Sequence, residues 1–236
     1  MGCYNTGEFD PGEEFIRNII ASFCLNSNSY KQIKTVVSQH SVSGRVTLKE
    51  ANKNIFSLFL KKDNEFCFKF HSAIFERVLN FLDTDNNSAK VLFHLIGFTR
   101  VDNNISFLED LYEILNSLIG FNITFSNLLL YFEHFLSFYT VEVTQCLLEE
   151  MTDEHCRENV KYLLLYYYNK ENTKQLAKML VNGLTANNSD NVHITETMFV
   201  DHFKSKPSLD IIGIRNMYLA HEEFNLFAIA AKPGKS

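Results

Sequence analysis

Residues 80–93 read "NFLDTDNNSAKVLF". Asp83, Asp85 and Asn87 place side-chain oxygens at alternate positions, directly after the apolar run Phe75, Val78, Leu79 and Leu82. That is the spacing by which a loop leaving an amphipathic helix wraps a hard cation. A twelve-residue loop of this kind also needs glycine at its sixth position and a bidentate glutamate at its twelfth. Counted from Asp83, those positions hold Ser88 and His94, and the eighth, where an apolar residue ties the loop to its neighbour, holds Lys90. A neutral imidazole does not replace a chelating carboxylate. The stretch is therefore expected to be a polar linker whose side chains cap a helix starting near Ser88.

A shifted frame fits better. In "GFTRVDNNISFLEDLYEIL", residues 97–115, Ile105 takes the eighth position and Glu109 the twelfth, and Leu111, Ile114 and Leu115 form the stripe of an exit helix. Asp102 then falls at position five, but Phe98 and Arg100 fall at one and three, and Arg100 puts a cation where a cation should bind. "QHSVSGRVTLKE", residues 39–50, keeps Gly44, Val46 and Glu50 at six, eight and twelve, with only Gln39, Ser41 and Ser43 at one, three and five. "NNSDNVHITETMF", residues 187–199, sets Ile194 at eight with Phe199 and Phe203 on the exit helix, and Met198 at twelve. A two-residue shift would bring Glu196 to twelve but lose the apolar register. "DNEFCFKFHSAIF", residues 63–75, offers Phe66 or Cys67 for the strand position and no ligand set.

These positions resemble the EF-hand superfamily, above all the four-hand layout of neuronal calcium sensors and calcineurin-B-like proteins. The resemblance spans about 29–118 and 173–205 and rests on Gly44/Val46/Glu50, Ile105/Glu109 and Ile194/Phe199. The chain is also similar to the EF-hand-like region that precedes the TLDc domain in acylated TLDc proteins, with "DHFKSKPSLDIIGIRNMYL" in the place of the following apolar helix; a TLDc domain is absent from the sequence. The resemblance implies paired helix–loop–helix units that keep their turn and strand positions while losing acidic ligands. A weak calcium site is left to Gln39, Ser41, Ser43 and Glu50, with Asp102 and Glu109 as the remnant of a second.

Composition agrees with a helical frame. Three Pro and nine Gly in 236 residues leave few obligatory breaks. Apolar periodicity predicts helices near 11–24, 29–38, 47–60, 71–82, 89–97, 106–118, 124–138, 140–151, 156–169, 173–184, 195–204 and 208–219. Asp10-Pro11 with Glu13 and Glu14 is a helix start, with acids at the positive end of the dipole. The expected fold is all-α: paired degenerate EF-hand-like units with an additional aromatic-rich helical segment around 119–172. The division expected is an acylated segment 1–10, an EF-hand-like lobe 11–118 and a helical lobe 119–236 carrying the last degenerate hand.

A net charge of −6 argues against nonspecific nucleic-acid binding, which needs cations to displace phosphate counterions. "MGCYNT" at 1–6 fits the N-myristoylation pattern at Gly2, and Cys3 is the usual neighbour for a palmitoyl thioester. One myristoyl chain binds membranes only marginally, and Glu8, Asp10, Glu13 and Glu14 exclude a basic patch, so Cys3 would have to supply the second anchor. Five cysteines without CxxC spacing or a secretory signal read as reduced thiols, which makes Asn-Ile-Ser 104–106, Asn-Ile-Thr 122–124 and Asn-Asn-Ser 187–189 coincidental glycosylation triplets. The longest apolar runs are about a dozen residues, too short to cross a bilayer, which takes roughly 20.

Phosphate loops and the common hydrolase, protease and kinase signatures are missing, and His155-Cys156 within one turn does not make a site. The expectation is a non-enzymatic adaptor or regulatory protein on the cytoplasmic face of a membrane, largely independent of calcium. Its protein partner would supply a helix to a groove formed by Leu128, Tyr131, Phe132, Phe135, Tyr162 and Tyr166. The alternative readings of those aromatics are a central core pair and a sheath for the acyl chain. The alternative functions are a calcium sensor with one weak Ca2+ site and a structural component of a large intracellular assembly.

Overall fold

Apolar side chains at helical spacing become helices along most of the chain. The computed structural model describes residues 11–22, 30–46, 70, 72–74, 76–77, 88–99, 104–120, 122–185 and 188–221. In chain order these form α1 (Pro11–Ala21), α2 (Tyr30–Gln39), a hairpin of β1 (Ser41–Val42) and β2 (Arg45–Val46), α3 (Ser88–Ile96), α4 (Asn104–Ile119) and α5 (Phe125–Ser137). A π-helical turn (Phe138–Glu142) joins α5 to α6 (Val143–Glu150), followed by α7 (Glu154–Tyr166), α8 (Lys170–Val181), α9 (Glu196–Phe203) and α10 (Ile211–Ala220). Among the described residues the only sheet is the hairpin, so the all-α expectation holds. The helix starts are chemically specified: Thr124, Asp153, Asn169, Thr195 and Asp210 each accept a hydrogen bond from the backbone N–H three residues on.

The helices pack in pairs that are distant in sequence. α4 lies on α9, α5 on α8, α1 on α7, and α3 on both α2 and α4. One buried cluster holds Ile16 of α1, Leu108 of α4, Leu163 of α7 and Ile214 of α10 together. The expected division at 118/119 runs through this cluster, because α1–α7 and α4–α9 both cross it. α1 reaches α7 almost backbone to backbone: a Cβ on Gly12 would stand 2.9 Å from the Asn159 carbonyl carbon. Glycine is required there by the crossing.

The π-turn lies within the aromatic segment. It carries Tyr139, whose side chain is fully buried against α3. Its hydroxyl accepts from Gly97 N–H at 2.8 Å and donates to Phe93 C=O at 3.1 Å. Those two groups would otherwise be joined by the next turn of α3, so the tyrosine ends that helix. The Gly97 carbonyl in turn accepts from Ile211 N–H at 2.8 Å, where α10 begins. Arg77 bridges to Glu142 from the helical residues 76–77, and Ile74 is buried beside it in sequence.

Leu128, Phe132 and Phe135 are buried in this core, with the Phe132 and Phe203 rings stacked at 5.0 Å. The groove expected on these three residues is therefore corrected to a core face, because α8 and α9 cover it. Tyr131, Tyr162 and Tyr166 remain half-buried at the surface.

Candidate functional site

Two connections, residues 120–124 and 182–195, meet where α4–α5 and α8–α9 cross. In the first, Gly120 turns the chain at φ +89°, Ile123 is fully buried, and Thr124 caps α5. Thr124 and Asn127 form a reciprocal box, with the Asn127 side chain accepting from Thr124 N–H at 2.7 Å. In the second, Gly183 turns at φ +82°, Ile194 is fully buried, and Thr195 caps α9. The two isoleucines are tied directly: Ile194 N–H donates to Ile123 C=O at 2.8 Å. Ile194 C=O accepts from the Tyr112 hydroxyl of α4 at 2.9 Å, so this backbone unit is held from both sides.

The carboxylate in the second connection is already engaged. Asp190 accepts from Ser126 N–H at 2.6 Å and from Ser126 Oγ at 2.5 Å, which closes one connection onto the start of α5. Those bonds to Ser126 hold the Asp190 carboxyl below its ordinary range. Met198, at the position where a chelating glutamate would sit, is half-buried, while Phe199 and Phe203 are buried as the frame on Ile194 requires.

The other expected loops differ. Ile105 lies in the first turn of α4 and is 47% exposed, so it is not a strand residue linking two loops. Glu109 sits one turn further along the same helix and is exposed. The frame fails because Asn104 starts the helix before the strand position can form. The Gly44 loop makes its own hairpin: Ser41 pairs with Val46 and Val42 with Arg45, around Ser43 (φ +53°) and Gly44 (φ +76°). Consecutive positive φ values give the tight turn that matches strand twist. Gln39 ends α2, and Ser41 Oγ donates back to Ser38 C=O at 3.1 Å. The Gly44 carbonyl accepts from Ser88 N–H at 2.9 Å, which docks the hairpin on the start of α3. Among the described residues no group of three or more His, Cys, Asp or Glu side chains could hold a metal ion. Gly2, Cys3, Glu50 and Asp102 and the stretches 63–69 and 80–87 lie outside the described residues.

Three further features were not read from the residues. Glu13, read as a dipole acid, is fully buried and receives Arg215, Arg17 and the Tyr168 hydroxyl. His94 and His134 face one another across α3 and α5. A cleft of about 400 Å³ between α5, the π-turn and α8 is lined by Leu130, Glu133, His134, Val141, Lys170 and Lys174, among others. The signal for the first was available: an arginine inside "IIGIRNMYL" must find a buried anion. The signal for the isoleucine pair was also present, since Ile-Thr recurs at 123–124 and 194–195 with the threonine capping a helix each time.

The two cysteine thiols in the described residues are not activated. Burial pushes Cys146 up to about 12, and burial with Asp153 pushes Cys156 up as well. An attacking thiolate needs the opposite direction. No helix among the described residues is long and apolar enough to cross a membrane. Comparison of the chain with family models, with curated proteins and with solved structures finds no match in any of the three.

Proposed function

We propose that the chain is a degenerate EF-hand-type scaffold: a non-enzymatic, membrane-anchored adaptor or regulatory protein that binds a partner's helix without needing calcium. The observation that carries this reading is the Ile194 N–H to Ile123 C=O bond between two helix–connection–helix units, α4–α5 and α8–α9. Paired hands are joined in the same way, apolar strand position to apolar strand position, with the entering helix of each packed on its partner unit. Here α4 lies on α9 and α5 on α8. The segment 138–169 would be an insertion between the two hands. Calcium independence is supported by the twelfth positions of the two units, a hydrogen-bonded asparagine at 127 and a methionine at 198, and by the engagement of the nearby Asp190 with Ser126.

The anchoring half of the reading rests on Gly2 and Cys3 alone. The partner surface is drawn on α7, where the Tyr162 and Tyr166 rings stand 4.7 Å apart beside Leu165, which is 65% exposed. A photo-crosslinking residue at Tyr162 or Tyr166, in cells with and without a calcium chelator, tests it. Capture of the same protein in both conditions is the expected result. Capture that requires calcium favours the sensor, and a crosslink only to subunits of one large complex favours the assembly component.

A further inference from the structure

His94 of α3 and His134 of α5 meet with their Nε2 atoms 3.2 Å apart and their rings perpendicular. His94 Nδ1 is 2.7 Å from the Lys90 carbonyl, which can only accept. The hydrogen-bond pattern thus assigns the proton of His94 to Nδ1 and a bare lone pair to its Nε2, so His134 Nε2–H is the donor between the rings. Phe138 meets the His94 ring edge-on at 4.6 Å, and Phe93 stacks on His134 at 6.3 Å. His94 is 4% exposed, whereas His134 lines the cleft against α8.

The charged groups around the pair come from several helices. Lys90 on α3 disfavours a charged His94. Glu133 of α5 and Lys170 and Lys174 of α8 line the cleft with His134. α2 and α4, which pack on α3, carry Lys31, Lys34, Asp110 and Glu113, and these act on each other, with Lys34 bridged to Glu113.

We propose that the His94–His134 pair is a proton-operated clasp between α3 and α5, closed while at most one ring is charged and released when both are. A first proton on His134 Nδ1 leaves the Nε2–H···Nε2 bond in place. A second must go to His94 Nε2, the acceptor itself, and would set two N–H groups and two cations face to face. Burial lowers both rings, His94 to about 4, while solvated rings titrate near 6.5. Folded-state values below the open-state value mean that protons favour opening. Opening should therefore grow below about pH 6.5 by up to roughly tenfold per ring per pH unit. Release would free the α5 wall of the cleft, including Leu130, Glu133 and His134.

The test combines histidine-ring NMR and amide hydrogen exchange on the whole chain between pH 7.5 and 4.5, corrected for intrinsic exchange. We expect His94 to keep its Nδ1–H form without titrating above about pH 5, and α3 amides to open up to about 100-fold more per pH unit below 6.5. Val160 and Leu163 of α7 should hold their protection meanwhile. In His134→Phe, which keeps a ring against Phe93 but cannot titrate, the α3 slope should fall to that of one ring. If that variant does not fold, ring titration and exchange in the unmodified protein decide alone. Both rings titrating near 6.5, an α3 slope that is flat, or α7 opening in step with α3 would each overturn the clasp.

Discussion

Arg215 Nη2 lies 2.7 Å from Glu13 Oε2, across 202 residues of chain, and both side chains are fully buried. Arg215 also stands over the Tyr168 ring at 4.4 Å and donates to Thr144 Oγ1 at 3.0 Å, so one side chain ties α1, α6, α10 and the turn that follows α7 together. Removing either charge leaves the other uncompensated in the core. Glu13→Gln or Arg215→Met should each cost about 3–5 kcal/mol in denaturant unfolding. The double change Glu13→Leu with Arg215→Met should recover most of that loss, because an apolar pair in the same volume is often neutral or better.

The same pair sets an acid limit. Burial pushes the Glu13 carboxyl up, but the charge and hydrogen bonds of Arg215, helped by Arg17 and Tyr168, hold it below its ordinary 4.5. A depressed folded value contributes stability above 4.5 that is lost as pH falls through the folded value. Unfolding midpoints measured from pH 5 downward should fall in the unmodified protein and fall less steeply in Glu13→Gln.

Tyr139 and Gly97 give a second test. Tyr139→Phe deletes the hydroxyl serving both Phe93 C=O and Gly97 N–H, and two buried backbone groups lose a partner. A cost of about 1–3 kcal/mol is expected. Gly97→Ala places a Cβ 2.4 Å from the ring carbon that bears the hydroxyl. Removing the hydroxyl does not relieve that overlap, so Tyr139→Phe should not rescue Gly97→Ala in a double-mutant cycle.

Helix positions were legible in the sequence because they depend on local periodicity, as α4 and α5 show to within two residues of the expected 106–118 and 124–138. Pairing was less so. Ile105 had the right residue type for a strand position, but Asn104 starts a helix there, and the partner of Ile194 turned out to be Ile123. Asn-Ile-Thr 122–124 reads as a glycosylation triplet, and although Ile-Thr recurs at 194–195, that recurrence does not say which apolar residue bonds to which, a long-range fact. Glu13 was read from its neighbours as a dipole acid, and nothing local distinguishes that role from a buried counter-ion. The two histidines were legible as helix residues, not as a pair.

Anchoring can be separated from folding. α1 is held on α7 at Gly12 and to Arg215 through Glu13, so unfolding of the Gly2 and Cys3 variants is measured beside their partition to tell loss of attachment from loss of fold. Gly2→Ala should release the protein from membranes in cell fractionation. Cys3→Ser should weaken attachment severely, since one myristoyl chain gives only about 10⁴ M⁻¹. Unchanged partition of both variants would remove acylation from the proposed function.

The isoleucine bridge and calcium belong to one final prediction. If the two units are held by apolar burial and the Ile194 N–H to Ile123 C=O bond, calcium has nothing to add to their pairing. Thermal unfolding with and without calcium near micromolar levels, where sensor sites work, should then coincide. A functional site at a hundred times its dissociation constant would instead add about 2.7 kcal/mol. Ile123→Ala and Ile194→Ala should each cost about 2–5 kcal/mol, because each empties a fully buried position. Their double mutant should depart from additivity by about 0.5–3 kcal/mol, as contacting residues do. Additive losses would mean that the two connections are stabilised separately and that the paired-hand reading is wrong. A calcium-dependent rise abolished by Glu50→Gln would instead place a working site at the Gly44 hairpin, while one abolished by the double change Asp83→Ala with Asp85→Ala would return it to residues 80–93.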